Sequence, residues 1–242
     1  MALQRIDKIL TSMGLCSRRE AAAAAKSGAV LVDDTICRDA SCKIDPEVNK
    51  LLFRGKLVGY QSHVYFMMHK PLGVISATED REQKTVLDLL PQSYRSRGVF
   101  PIGRLDKDTS GLLLLTDDGA FGHALTSPRH EIDKVYHALA DGILGQADID
   151  AFAAGISLRD GTICRPAKLE ILDIQDEKSF VAVTVHEGKY HQVRRMLASR
   201  GAPVLTLKRI SEGAVTLDEA LLPGEWRELT AQELELLRVG SC

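Results

Sequence analysis

The stretch Gly103-Arg104-Leu105-Asp106-Lys107-Asp108-Thr109-Ser110-Gly111, continued by Leu112-Leu113-Leu114-Leu115-Thr116, is the densest run of chemistry in the chain. Two glycines bracket two carboxylates, an arginine and two hydroxyls, and an uninterrupted apolar run follows. Polar groups on irregular backbone, held by a packed element, are a common way to build a functional loop. The same composition also suits an ordinary turn in which Asp and Ser cap backbone groups.

Working outward, the flanks predict short strands and helices without regular alternation, so the fold class is α+β rather than a doubly wound sheet. Strands are expected over residues 64–68, 112–116, 135–140 and 180–185, and helices over 85–90, 147–154 and 190–200, with Gly201 closing the last. Thr230-Ala231-Gln232-Glu233 has capping-box spacing and opens a final helix. Asp106-Lys107-Asp108-Thr109 also has the D-x-D-x-T spacing of phosphatases that form a phosphoaspartate with magnesium. Those enzymes carry the first Asp at the end of a buried apolar strand. Here Pro101, Gly103 and Arg104 precede it and the apolar run comes afterwards, which argues against that chemistry.

Further motifs lie in order along the same region. They are Lys70-Pro71-Leu72-Gly73 (with His69 before it), Thr116-Asp117-Asp118-Gly119, Ser127-Pro128-Arg129-His130, Lys134-Val135-Tyr136 and Glu187-Gly188-Lys189-Tyr190-His191-Gln192-Val193-Arg194-Arg195-Met196. Together with Gly103–Leu112 they resemble the pseudouridine synthases that modify ribosomal RNA, in the version that acts on the small subunit. His69 departs from the Asn usual there. The resemblance implies a catalytic domain over residues 64–242 that isomerises a uridine in 16S ribosomal RNA, with the same reaction on 23S RNA as the alternative. It implies catalytic roles for Asp106, Tyr136 and Arg194. Asp106 is the carboxylate beside the ribose, by covalent attack or by removal of a ribose proton. Arg194 is the basic partner of Asp106. Tyr136 packs on the flipped base and is a candidate proton acceptor, and Arg104 fills the vacated stack or contacts phosphate. The reaction changes no oxidation state and loses no group, so neither cofactor nor metal is expected.

The first 60 residues read as a separate module. Ile6, Ile9, Leu10 and Met13 share one helical face. Ser17-Arg18-Arg19-Glu20 has capping-box spacing before the alanine run 21–25. Val30-Leu31-Val32 and Thr35-Ile36-Cys37 flank Asp33-Asp34, a hairpin-turn candidate. Arg5-Ile6-Asp7-Lys8-Ile9-Leu10, Ser17-Arg18-Arg19-Glu20-Ala21 and Gly28-Ala29-Val30-Leu31-Val32 resemble the RNA-binding domain named after ribosomal protein S-four. There an Asn-Gly turn is usual where this chain has Asp33-Asp34. The resemblance implies a domain over residues 1–59 that meets RNA through Arg5, Lys8, Arg18 and Arg19. Residues 59–63, with Gly59, Gln61 and Ser62 and no strong periodicity, read as a linker. Charge agrees: the first 60 residues hold ten Lys/Arg against seven acids, in a chain of formal charge -2. Cations so placed can neutralise phosphates.

The five cysteines are odd in number and have no CxxC spacing, which argues against disulfides and a zinc site and for a reducing compartment. No apolar run approaches the ~20 residues of a membrane span, and the N-terminus has no apolar segment of signal type. The expectation is a cytoplasmic monomer with ribosomal RNA as partner and no membrane. A non-catalytic RNA-binding or ribosome-assembly protein on the same scaffold is the competing function. The presence of Asp106, Tyr136 and Arg194 favours the enzyme.

Overall fold

The computed structural model describes residues 3–127 and 130–239. Pro128, Arg129 and Cys242 lie outside the described residues. The chain divides into two units, Met1–Val64 with Leu90–Val99 and Tyr65–Leu89 with Phe100–Cys242. Leu90–Val99, expected within the larger domain, belongs to the first unit.

In the first unit, β1 (Gln4–Arg5) leads into helix α1 (Ile6–Ser12), whose Ile6, Ile9 and Leu10 are fully buried. Gly14 ends this turn in the left-handed region (φ 67°), where a Cβ would lie 2.3 Å from the Ser93 Cβ. Helix α2 (Arg18–Lys26) opens on a formed capping box. The Glu20 amide donates to Ser17 Oγ at 3.2 Å, and the Ser17 amide donates to Glu20 Oε2 at 2.8 Å. The strands are β2 (Val30–Val32), β3 (Thr35–Ile36), β4 (Lys43–Ile44), β5 (Leu51–Phe53) and β6 (Lys56–Leu57). Four form an antiparallel sheet of order β3-β2-β5-β6, and β4 pairs β1. The turn at Asp33-Asp34 has φ 48° and 63°, the pair of positive values that matches strand twist in a two-residue hairpin. The core gathers Ile6, Ile9, Leu10, Ala21, Val30, Leu51 and Phe53. The short helix α3 (Gln92–Ser96) belongs to this unit, where Arg97 Nη2 donates to the carbonyls of Gln61 (2.6 Å) and Ser62 (3.1 Å).

The second unit is built on a nine-stranded sheet. Its strands are β7 (Tyr65–Lys70), β8 (Phe100–Ile102), β9 (Ser110–Thr116), β10 (Lys134–Asp141), β13 (Lys168–Gln175), β14 (Lys178–Val185), β15 (Val204–Glu212), β16 (Val215–Thr216) and β17 (Trp226–Glu228). A small ribbon, β11 (Ile156–Ser157) with β12 (Ile163–Cys164), stands apart from it. The order is β13-β14-β10-β15-β9-β7-β17, with β16 on β15 and β8 on β9. All neighbours are antiparallel except β9 and β15, which run parallel with Arg209 beside Gly111. Helices α4 (Gly119–Thr126), α5 (Gln146–Ala154), α6 (Gln192–Ser199) and α7 (Ala231–Val239) complete it, and the fold class is α+β.

Leu112, Leu113, Leu114 and Leu115 have no exposed surface, so β9 is buried on both faces and fixes whatever precedes it. One core lies under β10, β14, α5 and α6, with Ala138, Phe152, Val181, Met196 and Leu197. A second joins Met67, Leu112, Leu114, Phe121 and Leu237. Three expectations shift. The helix over 190–200 begins at Gln192, because His191 sits at φ 48° and breaks the turn. The segment 85–90 is a 3-10 turn over Val86–Leu89. Strands β8, β11, β12, β13, β15, β16 and β17 were not foreseen.

Candidate active site

Asp106 stands on the loop between β8 and β9, and that loop is held by its backbone. Five successive carbonyls, Leu105 to Thr109, each accept a hydrogen bond. Ser76 Oγ donates to Leu105 at 2.9 Å, and the Gly73 amide donates to Lys107 at 2.8 Å. Lys70 Nζ donates to Asp106 at 3.0 Å and to Thr109 at 2.9 Å, as well as to Pro71 at 3.1 Å. Arg194 Nη2 donates to Asp108 at 2.8 Å. Lys70 has no exposed surface. Desolvation pulls its ammonium down to about 8, with Asp106 and Asp108 opposing. A buried cation persists only when its donors are used. Here they replace water for a loop whose Asp106, Lys107 and Asp108 side chains stay open to solvent while Leu105 and Thr109 are buried.

The Asp106 side chain faces a cleft of about 480 Å³ lined by Arg104, Tyr136, Tyr190, His191 and Leu207 among others. His191 Nε2 lies 3.6 Å from Asp106 Oδ1. The His191 ring stacks on Tyr190 with centroids 3.9 Å apart and planes 15° from parallel. The left-handed backbone at His191 turns that ring away from α6 toward the loop.

Arg194 requires a correction. The expected partner was Asp106, but its guanidinium pairs with the Asp108 carboxylate at 3.1 Å as well as with the Asp108 carbonyl. Three residues separate the two outcomes: Arg194, in the first turn of α6, reaches Asp108 near the loop's exit, and His191, just before the helix, approaches Asp106.

Tyr136 is half-buried on β10, opposite Arg209 of β15 in the strand register. The Arg209 guanidinium lies beside its hydroxyl. Arg209 in turn donates from Nε to the Leu112 carbonyl at 2.7 Å and pairs with Glu212 at 3.2 Å, both side chains being buried. Burial pushes the Tyr136 hydroxyl's pKa up, with Arg209 opposing. Arg104 is exposed and lines both the Asp106 cleft and an adjoining cavity of about 520 Å³, which share Tyr136 and Lys189 as wall.

The structure thus brings Arg104, Asp106 and Tyr136 into one cleft and sets Arg194 behind the loop. Lys70 and the pair Arg209–Glu212 were not assigned roles from sequence. Their one signal was charge at the ends of apolar strands, where water cannot satisfy it. In the first unit Arg5, Lys8, Arg18 and Arg19 are all exposed, and Arg5 is tied to Asp7 at 2.7 Å. Among the described residues no cluster of His, Cys, Asp and Glu fits a metal ion, the four cysteines are free, and no helix is long and apolar enough to cross a membrane.

Residues 64–199 match the RNA pseudouridylate synthase family, and residues 4–48 match the S4 domain. An uncharacterized RNA pseudouridine synthase of Bacillus subtilis is 43% identical over 96% of this chain and 98% of its own length. Ribosomal small subunit pseudouridine synthase A of Vibrio cholerae is 42% identical over 95% of this chain and 97% of its own. Ribosomal large subunit pseudouridine synthase B of Bacillus subtilis is 38% identical over 98% and 96%. A crystal structure of a pseudouridylate synthase superposes with a TM-score of 0.67, at 38% identity over 96% of this chain and 99% of that one.

Proposed function

Because this chain belongs to the RNA pseudouridylate synthase family, we propose that it converts a uridine of small-subunit (16S) ribosomal RNA into pseudouridine in the cleft around Asp106. Isomerisation breaks the bond between ribose C1′ and uracil N1, turns the base and joins C1′ to C5. C5 gives up its proton and N1 ends protonated, so atoms and electrons balance within the substrate.

Asp106 supplies the carboxylate beside the ribose. The observation that carries this reading is the loop itself: five consecutive carbonyls are fixed, so the carboxylate is positioned before RNA arrives. Tyr136 packs on the base. Its raised pKa keeps the hydroxyl a neutral phenol, which suits a packing surface better than a base for the C5 proton. Arg104, exposed at the edge shared by both cavities, meets phosphate or the stack left by the flipped uridine. Leaving that stack costs a few kcal/mol. Phosphate contacts from Arg5, Lys8, Arg18 and Arg19 help offset this cost. The protein acts as a monomer in the cytoplasm, where ribosomal RNA is found.

Relatives named for the small subunit favour 16S RNA, and the relative named for the large subunit keeps 23S RNA as the second reading. The protein is incubated with separate 16S and 23S transcripts and their partly assembled particles. Pseudouridine is then mapped by chemical labelling and reverse-transcription stops. A new stop in 16S RNA is expected. One confined to 23S RNA replaces the substrate and leaves the reaction class intact.

A further inference from the structure

Tyr190 is the most exposed aromatic side chain of the catalytic unit, with 75% of its surface open, yet it stands at an active-site cleft. Its conformation is not that of a free surface ring. One face is covered by His191, stacked at 3.9 Å and 15°, and His191 is itself placed by its left-handed backbone and its approach to Asp106. The other face is left to solvent. Tyr190 also lines a second groove of about 480 Å³ with Leu158, Arg159, Asp160, Arg195 and Ser199. The ring is therefore the divide between the cleft and this groove. In the groove, Arg195 is held by Asp160, and Arg159 is exposed.

An aromatic face pre-set by stacking, beside a site that takes one nucleotide out of its stack, offers a flanking base the surface it has lost. Every nucleobase has a π face, so such a platform accepts any of the four. A chain leaving the cleft across Tyr190 would bring its phosphate toward Arg159.

We propose that Tyr190, backed by His191, stacks a nucleobase directly adjacent to the target uridine, making the groove beside it the subsite of the flanking nucleotide. This rests on the function proposed above. Tyr190 is a binding residue and does not touch the reacting atoms.

The test uses the RNA segment found by the mapping experiment, made as an oligonucleotide with fluorescent 2-aminopurine 5′ or 3′ of the target. On the Asp106→Asn protein, expected to bind without turnover, 2-aminopurine at one of the two positions should be quenched. Adding Tyr190→Leu abolishes the quench, and Tyr190→Phe keeps it. In the active protein, Tyr190→Leu raises KM roughly 5- to 100-fold with little change in kcat, and Tyr190→Phe restores it. An abasic site at the stacked position raises KM in the wild type and adds nothing in Tyr190→Leu. If the wild type turns over and Tyr190→Leu matches it in KM and quench, the subsite is wrong and the enzyme assignment stands. If the wild type makes no pseudouridine in any ribosomal transcript, the function fails and this inference falls with it.

Discussion

Lys70 shows how a single buried charge sets the site. Its ammonium spans three carbonyls around Asp106, and desolvation holds it near 8 against 10.5 in the unfolded chain. Between those values the unfolded state binds more protons, so Lys70 makes the fold more stable as pH rises through the interval. Relative to Lys70→Met, the wild type is expected to gain about 3 kcal/mol of unfolding free energy between about pH 8 and about pH 10.5, read by urea titration. A flat difference would contradict the buried-cation account. Arg194 makes a second case. Because it grips Asp108 rather than Asp106, Arg194→Ala is expected to lower kcat by a similar factor from about pH 6 to about pH 9. Recovery at high pH would instead tie Arg194 to the Asp106 proton. That Arg104, Asp106 and Tyr136 share one cleft was legible in the sequence because the motifs name all three. Lys70 sat in a quoted motif without a role, since three distant carbonyls converge on it only in the fold. The partner of Arg194 could not be read because motif order does not say which of two aspartates, two residues apart, faces a helix.

Strand β9 owes its place beside β15 to one residue. Gly111 has φ 110°, and a Cβ there would meet the Arg209 carbonyl oxygen at 2.2 Å and its amide nitrogen at 2.5 Å. Both the conformation and the space exclude a side chain. Gly111→Ala is expected to destabilise the protein by roughly 3 kcal/mol or more and to lower activity with it. A urea midpoint within about 0.5 kcal/mol of wild type would show that the two parallel strands can part cheaply. At this scale the apolar run 112–116, the capping boxes at Ser17 and Thr230 and the Asp33-Asp34 turn were legible, because each is a local signal. Strand β15 was not. Lys208, Arg209 and Glu212 make it read as a polar surface segment, and only pairing with β9 and β10 buries Arg209 and Glu212. The late start of α6 was hidden too, since His191 in a left-handed conformation has no sequence signature.

At the scale of the whole molecule the chain carries an RNA-binding unit and a catalytic unit, and its order was legible from the two sets of motifs. The return of Leu90–Val99 to the first unit was not, because it rests on contacts of Ser93 and Arg97 with residues far away in sequence. Removing residues 1–59 is expected to weaken RNA binding and flatten its salt dependence, each lost phosphate contact taking about 0.7–0.9 from the slope. It also strips residues 90–99 of neighbours, so limited proteolysis should cut there first while the sheet survives. Unchanged affinity and slope would refute a docking role for Arg5, Lys8, Arg18 and Arg19. The Asp106 carboxylate, on a loop already fixed for it, is tested most directly by turnover of the Asp106→Asn protein on the mapped RNA. Loss of pseudouridine formation is expected, with RNA affinity kept within about tenfold, since the change preserves shape and removes only charge. Turnover above a small fraction of wild type, in a variant that still binds, would place the chemistry on another group.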